Sequence, residues 1–267
     1  MANSAIHIEL INIPRDADRL ALIAEELRGA GLSATPVPGF DYRTDGGVEA
    51  MAPYCKTEGP WGVFQKQDMA CTISHMKAWE RFLASDAPYC LVLEDDIYIS
   101  PELGHWLTDL SWWPAGADLV KLERWVSPRL KVALEPHSAH RGREISRLLS
   151  RHVGAAGYLM TRRSAELALA ARPFDIAVDN LLFNANASRL ARRLSTYQVH
   201  PAMIQQGNEP DGSPARGATR VRPTGMALLR QKIKRGYYEV VYPLSTIAKL
   251  LMGKAQLKQI TFAAEVS

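Results

Sequence analysis

An apolar strand that runs directly into three acidic residues is the strongest constraint on how this chain can fold. Residues 89–93 read Tyr-Cys-Leu-Val-Leu, and Glu94, Asp95 and Asp96 follow at once. Adjacent carboxylates repel one another, and apolar surroundings further disfavour their ionised forms. A buried strand with this ending must therefore finish at an open edge of a sheet, where water or a bound cation stabilises the charges.

The acidic residues at the end of this strand predict a metal site. Mg²⁺ and Mn²⁺ prefer oxygen ligands, and Mg²⁺ is commonly held by one or two carboxylates together with substrate phosphates. Open α/β sheets bind their ligands at the carboxyl ends of strands. The first hypothesis is a cation site for a phosphorylated ligand, and the alternative is a solvated acidic turn.

The hydrophobic pattern through residue 206 alternates between strands and helices. Strands are predicted at residues 6–13, 33–37, 89–93, 118–123, 154–160 and 196–200, and helices are predicted to begin near residues 16, 67, 101, 164 and 176. Residues 38–66 and 124–150 are predicted to be loops. Alternating strands and helices indicate an α/β fold with a mostly parallel central sheet flanked by helices.

Length and cysteine content narrow the class of protein further. A chain of 267 residues can bury one large core or two small ones. Its three cysteines include no CxxC pair, which argues against a disulfide framework or a zinc knuckle and favours a reducing compartment. We find no signal peptide and no apolar stretch approaching the ~20 residues of a membrane span, so we expect a cytoplasmic protein.

Positive charge is concentrated near the C-terminus. Residues 1–211 contain 22 Lys+Arg and 26 Asp+Glu, whereas residues 212–267 contain 10 Lys+Arg and 2 Asp+Glu. We predict a domain at 1–206, a linker at 207–224 and a basic amphipathic helical tail at 225–267. Such a tail is expected to dock on an anionic membrane surface, and the alternative is helices that pack on the domain or on a partner subunit. Basic and aromatic residues do not interleave as in a nucleic-acid module, so no nucleic-acid partner is expected.

Several sequence blocks, taken in order, resemble glycosyltransferase family 25. They are Ile11-Asn12-Ile13 before residues 15–19, the segment 68–75 that ends in Ser74-His75, the strand and acids at 91–96, Gly157-Tyr158-Leu159-Met160, and Asp179. This family includes lipopolysaccharide and lipooligosaccharide galactosyltransferases and relatives of the collagen sugar transferases. The resemblance covers roughly residues 5–206.

The resemblance implies a fold, a cofactor and a reaction. The fold would be the GT-A type for nucleotide sugars, and the cofactor a divalent metal, Mn²⁺ in preference to Mg²⁺. The reaction would move a hexose, galactose by resemblance, from a UDP-sugar to a hydroxyl of a glycan or lipid-linked glycan, with inversion. That chemistry would serve lipopolysaccharide or surface-polysaccharide synthesis, with the enzyme peripheral on the inner face of the cytoplasmic membrane.

The same resemblance assigns roles to residues of this sequence. Asp96 would bind the metal, with Asp95 as a further metal-side or nucleotide contact, and Glu94 would face the nucleotide. The other residues assigned to the nucleotide-sugar pocket are Asn12, Arg19, Ser74, His75 and Gly157, together with Lys121 and Tyr158.

For four of the candidate residues an alternative role stays open. His200 is proposed as a late metal ligand, or as a core or capping histidine. Lys121 is expected to meet a phosphate, or to be a solvated lysine. Tyr158 after Gly157 is expected to stack on a ring of the ligand, or to be a core tyrosine. For His75, a packing role inside its helix is the equal alternative.

Asp179 is the candidate general base. A nucleoside diphosphate leaving group needs positive charge to stabilise it, and the attacking hydroxyl needs a base near its proton. Asp179 lies in the apolar run Ile176-Ala177-Val178-Asp179, without an evident cationic neighbour. The alternative and compatible role is that of a helix N-cap.

Two other functions fit clustered carboxylates. A metal-dependent phosphoesterase would need further His or Asp ligands for a second metal, and we cannot place them. A carbohydrate-binding or scaffold protein with the same fold would bind UDP weakly or not at all.

Overall fold

The structure, a computed structural model, describes residues 6–60, 62–127, 130–206 and 244–266. The strands are β1 (Ile6–Asn12), β2 (Thr35–Pro38), β3 (Glu58–Gly59), β4 (Gly62–Val63), β5 (Tyr89–Glu94), β6 (Ile97–Ile99), β7 (Leu119–Lys121), β8 (Glu123–Trp125), β9 (Val132–His140), β10 (Arg143–Leu148), β11 (Gly157–Thr161), β12 (Thr196–His200), β13 (Ile204–Gln206) and β14 (Gln256–Lys258). The helices are α1 (Ala17–Gly29), α2 (Gly47–Met51), α3 (Lys66–Ala84), α4 (Leu103–Thr108), α5 (Arg162–Leu169), α6 (Val178–Phe183) and α7 (Leu244–Leu251), with a 3-10 turn at Ala191–Arg193.

A large mixed sheet forms the centre of the molecule. Its nine strands follow the order β14-β9-β10-β12-β7-β11-β5-β1-β2. Pairing is parallel for β1–β2, β1–β5 and β7–β12, and antiparallel for the other five neighbouring pairs. The α/β class is confirmed, but the prediction of a mostly parallel sheet is wrong, because β11 inserts antiparallel between β5 and β7 and an antiparallel group extends the sheet beyond β12.

Successive residues of the central strands point to opposite faces of the sheet, as the period of two requires. In β5, Cys90 and Val92 join the core beneath α3, α5 and α6. Leu91 and Leu93 join the second core, on the face covered by α1 and α4. This alternation determines where the acids after Leu93 find their partners.

Residues 132–148 form a hairpin, which corrects the prediction of a loop at 124–150. β9 and β10 are antiparallel and are joined by the two-residue turn Arg141-Gly142, where both residues have positive φ, as a type I′ turn requires. The apolar residues that anchor the hairpin are few, namely Val132, Ala133, Leu134 and Ile145. Charged and polar residues at the outward positions concealed the strand pattern in the sequence.

The end of the chain is part of the main sheet. β14 pairs antiparallel with β9, Ile260 is buried, and Arg143 Nη2 donates to the carbonyl of Ala263 at 3.0 Å. Within the predicted helical tail, Leu244–Leu251 is a helix, whereas Gln256–Lys258 is a strand and departs from the prediction. The predicted linker and residues 225–243 lie outside the described residues. No helix in the described part of the chain is both long and apolar enough to cross a bilayer.

A buried ion pair crosses the core at the ends of β7 and β8. Lys121 Nζ lies 2.8 Å from Glu123 Oε2 and donates to the Gly154 carbonyl at 2.5 Å, and both charged side chains are fully buried. Gly154 has φ +84°, and a Cβ there would lie 1.9 Å from Glu123 Oε1. The pair therefore depends on a glycine at this position.

We predict that Gly154→Ala destabilises the protein by at least about 3 kcal/mol, because the methyl group displaces Glu123 and leaves Lys121 buried without its partner. Gly116→Ala is the matched control. Gly116 has φ +74°, and a Cβ there would have nothing within 4 Å, so only backbone strain of roughly 1–2 kcal/mol applies. Denaturant unfolding measures the free energy of unfolding of both variants. Equal decreases in the two variants would contradict the role assigned to Gly154.

Candidate functional site

The acids after β5 meet the end of β1, which lies beside β5 in parallel register. Asn12 Nδ2 donates to Asp95 Oδ2 at 2.6 Å, and Arg19 Nη1 lies 3.5 Å from Asp95 Oδ1. Arg19 also donates to Asp16. Asn12, Arg19 and Asp95, which the resemblance assigns to the nucleotide-sugar pocket, therefore lie together on the side of the sheet that carries α1.

Glu94 continues the opposite face of β5 and meets α3. His75 Nε2 lies 3.0 Å from Glu94 Oε1, and Cys71 Sγ lies 3.6 Å from the same oxygen. The Glu94 side chain is 18% exposed, whereas His75 is fully buried. His75 thus holds the carboxylate from behind, and Glu94 presents its remaining surface to the open side.

A chain of hydrogen bonds supports His75. Trp79 Nε1 donates to Tyr158 Oη at 2.8 Å, and Tyr158 Oη lies 3.0 Å from His75 Nδ1. Trp79 is only a donor, and the ionised Glu94 is only an acceptor. A neutral His75 with its proton on Nε2 lets Tyr158 donate to Nδ1, so that every proton in the chain points at an acceptor. We assign this tautomer on those grounds.

Gln206 is the site residue that sequence reasoning missed. Its Nε2 donates to Glu94 Oε2 at 2.6 Å and to Asp96 Oδ1 at 3.1 Å. Gln206 ends β13, which pairs with β6 directly after the acids. A glutamine carries no metal-ligand or catalytic signature of its own, and its position follows only from the pairing of β13 with β6.

The three carboxylates experience different environments. Burial opposes the ionisation of Glu94, but the hydrogen bonds from His75 and from Cys71 outweigh it, so the pKa of Glu94 lies below its ordinary value. Burial raises the pKa of Asp95, although Arg19 and Asn12 act in the opposite direction. Burial and then the charge of Glu94 raise the pKa of Asp96 to about 7. Asp96 is therefore the carboxylate whose charge is least compensated.

Four residues assigned to ligand contact are instead buried in the packing. Ser74 Oγ donates to the Ala70 carbonyl and accepts from the Phe40 amide, both at 2.8 Å. His75 and Tyr158 form the chain behind Glu94. Lys121 is held by Glu123, with its Nζ 4.3 Å from the centre of the Phe183 ring. His75 and Tyr158 have the core roles that were given as their alternatives. Lys121 and Ser74 are held by groups of the protein and do not face an open pocket as expected.

Gly157 also has a packing role. It pairs with Leu93 in the sheet, and a Cβ at this position would lie 2.5 Å from Ile204 Cδ1. The absence of a side chain lets β13 cross close to β11, which brings Gln206 to the acids. The structure therefore replaces the expected ligand contact of Gly157 with a close approach of two strands.

His200 does not join the acids. It ends β12 opposite Glu144 of β10, and burial first, then the charge of Lys258, lowers its pKa. β7 and β11 lie between β12 and β5, so His200 lies about three strand spacings, roughly 14 Å, from the end of β5. The prediction of His200 as a metal ligand is wrong for that reason.

Asp179 lies in the first turn of α6, and the N-cap residue of that helix is Ala177. Asp179 Oδ1 accepts from the backbone amide of Asn180 at 2.7 Å and from its Nδ2 at 2.8 Å. The charge of Asp179 acts on the thiol of Cys71, whose pKa is raised well above its ordinary value by burial first and by Glu94 and Asp68 next. The N-cap alternative is therefore wrong, and the helix that carries Asp179 packs against α3.

The donor set suits a hard divalent cation. Asp95 and Asp96 supply carboxylate oxygens, Gln206 supplies an amide beside them, and Asp96 is a half-buried acid whose pKa is raised to about 7. Oxygen ligands are those that Mg²⁺ and Mn²⁺ prefer. The residues present thus fit the cofactor that the sequence led us to expect.

Comparisons with known proteins show the family of the chain. The sequence model of glycosyltransferase family 25 (LPS biosynthesis protein) matches residues 5–182. The chain is 28% identical to the lipooligosaccharide biosynthesis protein lic2B of Haemophilus influenzae over 153 residues, which cover 52% of this chain and 54% of that protein. It is 27% identical to the lacto-N-neotetraose biosynthesis glycosyltransferase LgtE of Neisseria gonorrhoeae over 211 residues, 74% of this chain and 72% of that protein.

The match to lic2B thus spans about half the length of that relative. Among solved structures, a glycosyltransferase involved in the glycosylation of the major capsid of PBCV-1 covers 86% of this chain and 98% of its own, with 11% identity and a TM-score of 0.40. A similarity at that level carries no argument. The family model, in contrast, covers more than half of the sequence, and the chain therefore belongs to glycosyltransferase family 25.

Proposed function

We propose that this protein is a metal-dependent glycosyltransferase that moves a hexose from a UDP-sugar to a hydroxyl of a glycan or lipid-linked glycan in lipooligosaccharide synthesis. One observation carries the proposal. Asn12, Arg19, Glu94, Asp95 and Asp96 converge at the carboxyl ends of two adjacent parallel strands in a chain of this family. Galactose as the hexose, UDP as the nucleotide and a GT-A type fold rest on the resemblance stated above.

Polar groups on the α1 side are suited to hold the nucleotide. Asn12 offers an amide, and Arg19 offers a guanidinium that is 24% exposed and already oriented by Asp16 and Asp95. A pyrophosphate that leaves with a full negative charge is stabilised by such a fixed cation. We therefore assign Arg19 to the diphosphate and Asn12 to the orientation of Asp95.

Asp95 and Asp96 are the residues that would hold the divalent cation, Mn²⁺ in preference to Mg²⁺. When bound, such a cation supplies positive charge to the departing diphosphate. Gln206 ties Asp96 to Glu94 and so fixes the spacing of these carboxylates. Glu94 itself, held by His75, faces the nucleotide sugar as a positioned acceptor of hydrogen bonds.

Asp179 is proposed as the base. Its Oδ1 accepts both hydrogen bonds from Asn180, which leaves Oδ2 to take the proton of the attacking hydroxyl. As the acceptor oxygen bonds to the anomeric carbon, the bond from that carbon to the phosphate oxygen breaks, the proton passes to Asp179 and UDP leaves. A single displacement of this kind inverts the configuration at the anomeric carbon.

We predict that Asp96→Asn lowers metal-dependent UDP release by about 100-fold or more, because the amide removes a charged ligand from the site. The assay uses the purified full chain with Mn²⁺ and a panel of UDP-sugars, with and without a lipooligosaccharide oligosaccharide as acceptor. EDTA should abolish release by the unmodified protein.

Asp86→Asn is the matched control for this experiment. Asp86 is an exposed aspartate just before β5, at the end of the strand opposite the acids, and its replacement should leave UDP release unchanged. UDP release that persists in EDTA or in Asp96→Asn would refute the proposed metal site. Failure to bind UDP by calorimetry would refute a UDP-sugar as the donor.

We predict that Tyr158→Phe lowers kcat by about 10- to 100-fold with little change in fold, because it removes the hydroxyl through which Trp79 fixes His75 and thereby Glu94. Tyr89→Phe removes a hydroxyl from a tyrosine whose ring packs on Trp113, away from the acids, and should have no such effect. Equal kcat values for the two variants, with thermal unfolding curves like those of the unmodified protein, would contradict the positioning role.

Membrane association is the second part of the proposal. α7 turns Leu244 and Leu251 outward, each 84% exposed, and Met252 beside them is 59% exposed. Lys249, on the same helix, is paired with Glu135 at 2.6 Å and so fixes α7 against β9. An apolar helix face next to a basic segment is typical of helices that lie in the interface of an anionic membrane. The acceptor would then be a lipid-linked glycan at the same surface.

We predict that Leu251→Glu reduces binding of the full chain to anionic phospholipid vesicles by about tenfold or more. The change removes a leucine that would insert into the lipid and adds a negative charge that the anionic lipid repels. Flotation with and without anionic lipid measures the bound fraction. Leu22→Glu, at an exposed leucine of α1, is the control for a surface charge change. If the unmodified chain does not float with anionic vesicles, the membrane proposal is wrong. Truncation is unsuitable, because it would also remove β14 from the sheet.

A further inference from the structure

Three different ligand atoms converge between α3 and the end of β5. Cys71 and His75 are one helical turn apart and therefore lie on the same face of α3. Glu94 meets both of them, with Oε1 3.0 Å from His75 Nε2 and 3.6 Å from Cys71 Sγ. The three ligand atoms all lie within 4.8 Å of one another. This cluster combines a sulfur, an imidazole nitrogen and a carboxylate oxygen.

The distances in the cluster match those of a tetrahedral zinc centre. Zinc bonds of about 2.3 Å to sulfur and about 2.0–2.2 Å to nitrogen and oxygen place neighbouring ligand atoms about 3.3–3.6 Å apart. The observed separations of 3.0 and 3.6 Å are close to these values. The third separation, between Cys71 Sγ and the His75 nitrogen, is at most 4.8 Å, so an ion would have to draw these two atoms together.

The surroundings of the cluster also resemble those of a metal site. A metal-binding histidine usually has its second ring nitrogen held by a hydrogen-bond partner, and Tyr158 Oη occupies that position at Nδ1. Cys71 and Glu94 are partly exposed, whereas His75 is buried. The exposed side gives an ion access and leaves a fourth position open. Asp68 and Asp179 add negative charge near Cys71.

We propose that Cys71, His75 and Glu94 form a second cation site, selective for Zn²⁺ and similar thiolate-binding ions. It is separate in ligand chemistry from the oxygen site of Asp95 and Asp96. Thiolate and imidazole ligands favour Zn²⁺, whereas Mg²⁺ and Mn²⁺ favour oxygen. On binding, the thiol proton of Cys71 goes to solvent, the imidazole proton moves from Nε2 to Nδ1, and Tyr158 Oη then accepts a hydrogen bond from Nδ1 instead of donating one.

The site would connect Zn²⁺ to the transfer reaction through Glu94. An ion on Glu94 Oε1 replaces the hydrogen bond from His75 and changes the orientation of the carboxylate that is also bound by Gln206. This regulatory consequence rests on the proposed function. The binding of the ion does not, and it can be measured without any sugar nucleotide.

Cobalt absorption tests the site directly. The reduced, metal-free full chain is titrated with Co²⁺, and we expect a thiolate-to-cobalt charge-transfer band, with visible bands of tetrahedral intensity, that Zn²⁺ then abolishes by displacement. Cys71→Ala should remove the charge-transfer band and weaken Zn²⁺ binding by about 10- to 100-fold in competition with a chromophoric chelator. Cys55→Ala, at a buried cysteine outside the cluster, should retain both the charge-transfer band and the affinity for Zn²⁺.

Two further variants keep the test decisive. Asp96→Asn should retain the charge-transfer band, because the oxygen site contributes no sulfur. Glu94→Gln should weaken Zn²⁺ binding while preserving side-chain shape, which covers the case in which Cys71→Ala does not fold. Absence of the band in the unmodified protein, or its persistence in Cys71→Ala, would overturn the proposal. Neither result depends on UDP release, so failure of this site and failure of the transferase function are distinguishable.

Discussion

The accumulation of negative charge at the end of β5 is the constraint on which the rest of the site depends. Each acid is stabilised to a different degree. Glu94 has His75, Cys71 and Gln206, and Asp95 has Asn12 and Arg19. Asp96 has the shared amide of Gln206 and a pKa of about 7. The protein thus compensates two of its three carboxylates with its own groups, and an added cation would relieve the third.

The distribution of partners follows from the geometry of a strand. Adjacent residues of β5 face opposite sides of the sheet, so Glu94 meets α3 and Asp95 meets the region of α1. One helix supplies an imidazole backed by buried aromatic residues, and the other side supplies an amide and an exposed guanidinium. His75, which positions Glu94, and Arg19, which is suited to bind the ligand, therefore lie on opposite sides of the adjacent carboxylates Glu94 and Asp95.

The sequence predicted which strand end carries the site, but it did not predict which polar residues lie buried behind it. The strand end at Glu94 and the partners Asn12 and Arg19 followed from hydrophobic patterning and family resemblance, because strand ends are marked by a change from apolar to charged residues. The burial of Lys121 did not follow, and for His75 and Tyr158 the sequence left a core role and a ligand contact open, since a polar residue inside a core cannot be told from one at the surface by its type alone. His200 and Gln206 show the same limit: which of them reaches the acids depends on a return of the chain through β13 that no local pattern specifies.

The C-terminal segment shows why an amphipathic pattern alone is ambiguous. Its two possible roles, packing and membrane contact, are divided along the chain. β14 covers the edge of β9 and Ile260 enters the core, whereas α7 keeps Leu244 and Leu251 exposed. Because the edge strand is held in the sheet and Lys249 is paired with Glu135, the exposed apolar face has a fixed position on the body that carries the acids. A membrane bound through α7 would therefore meet the protein in one orientation, with the acidic cluster at a constant distance from the lipid surface.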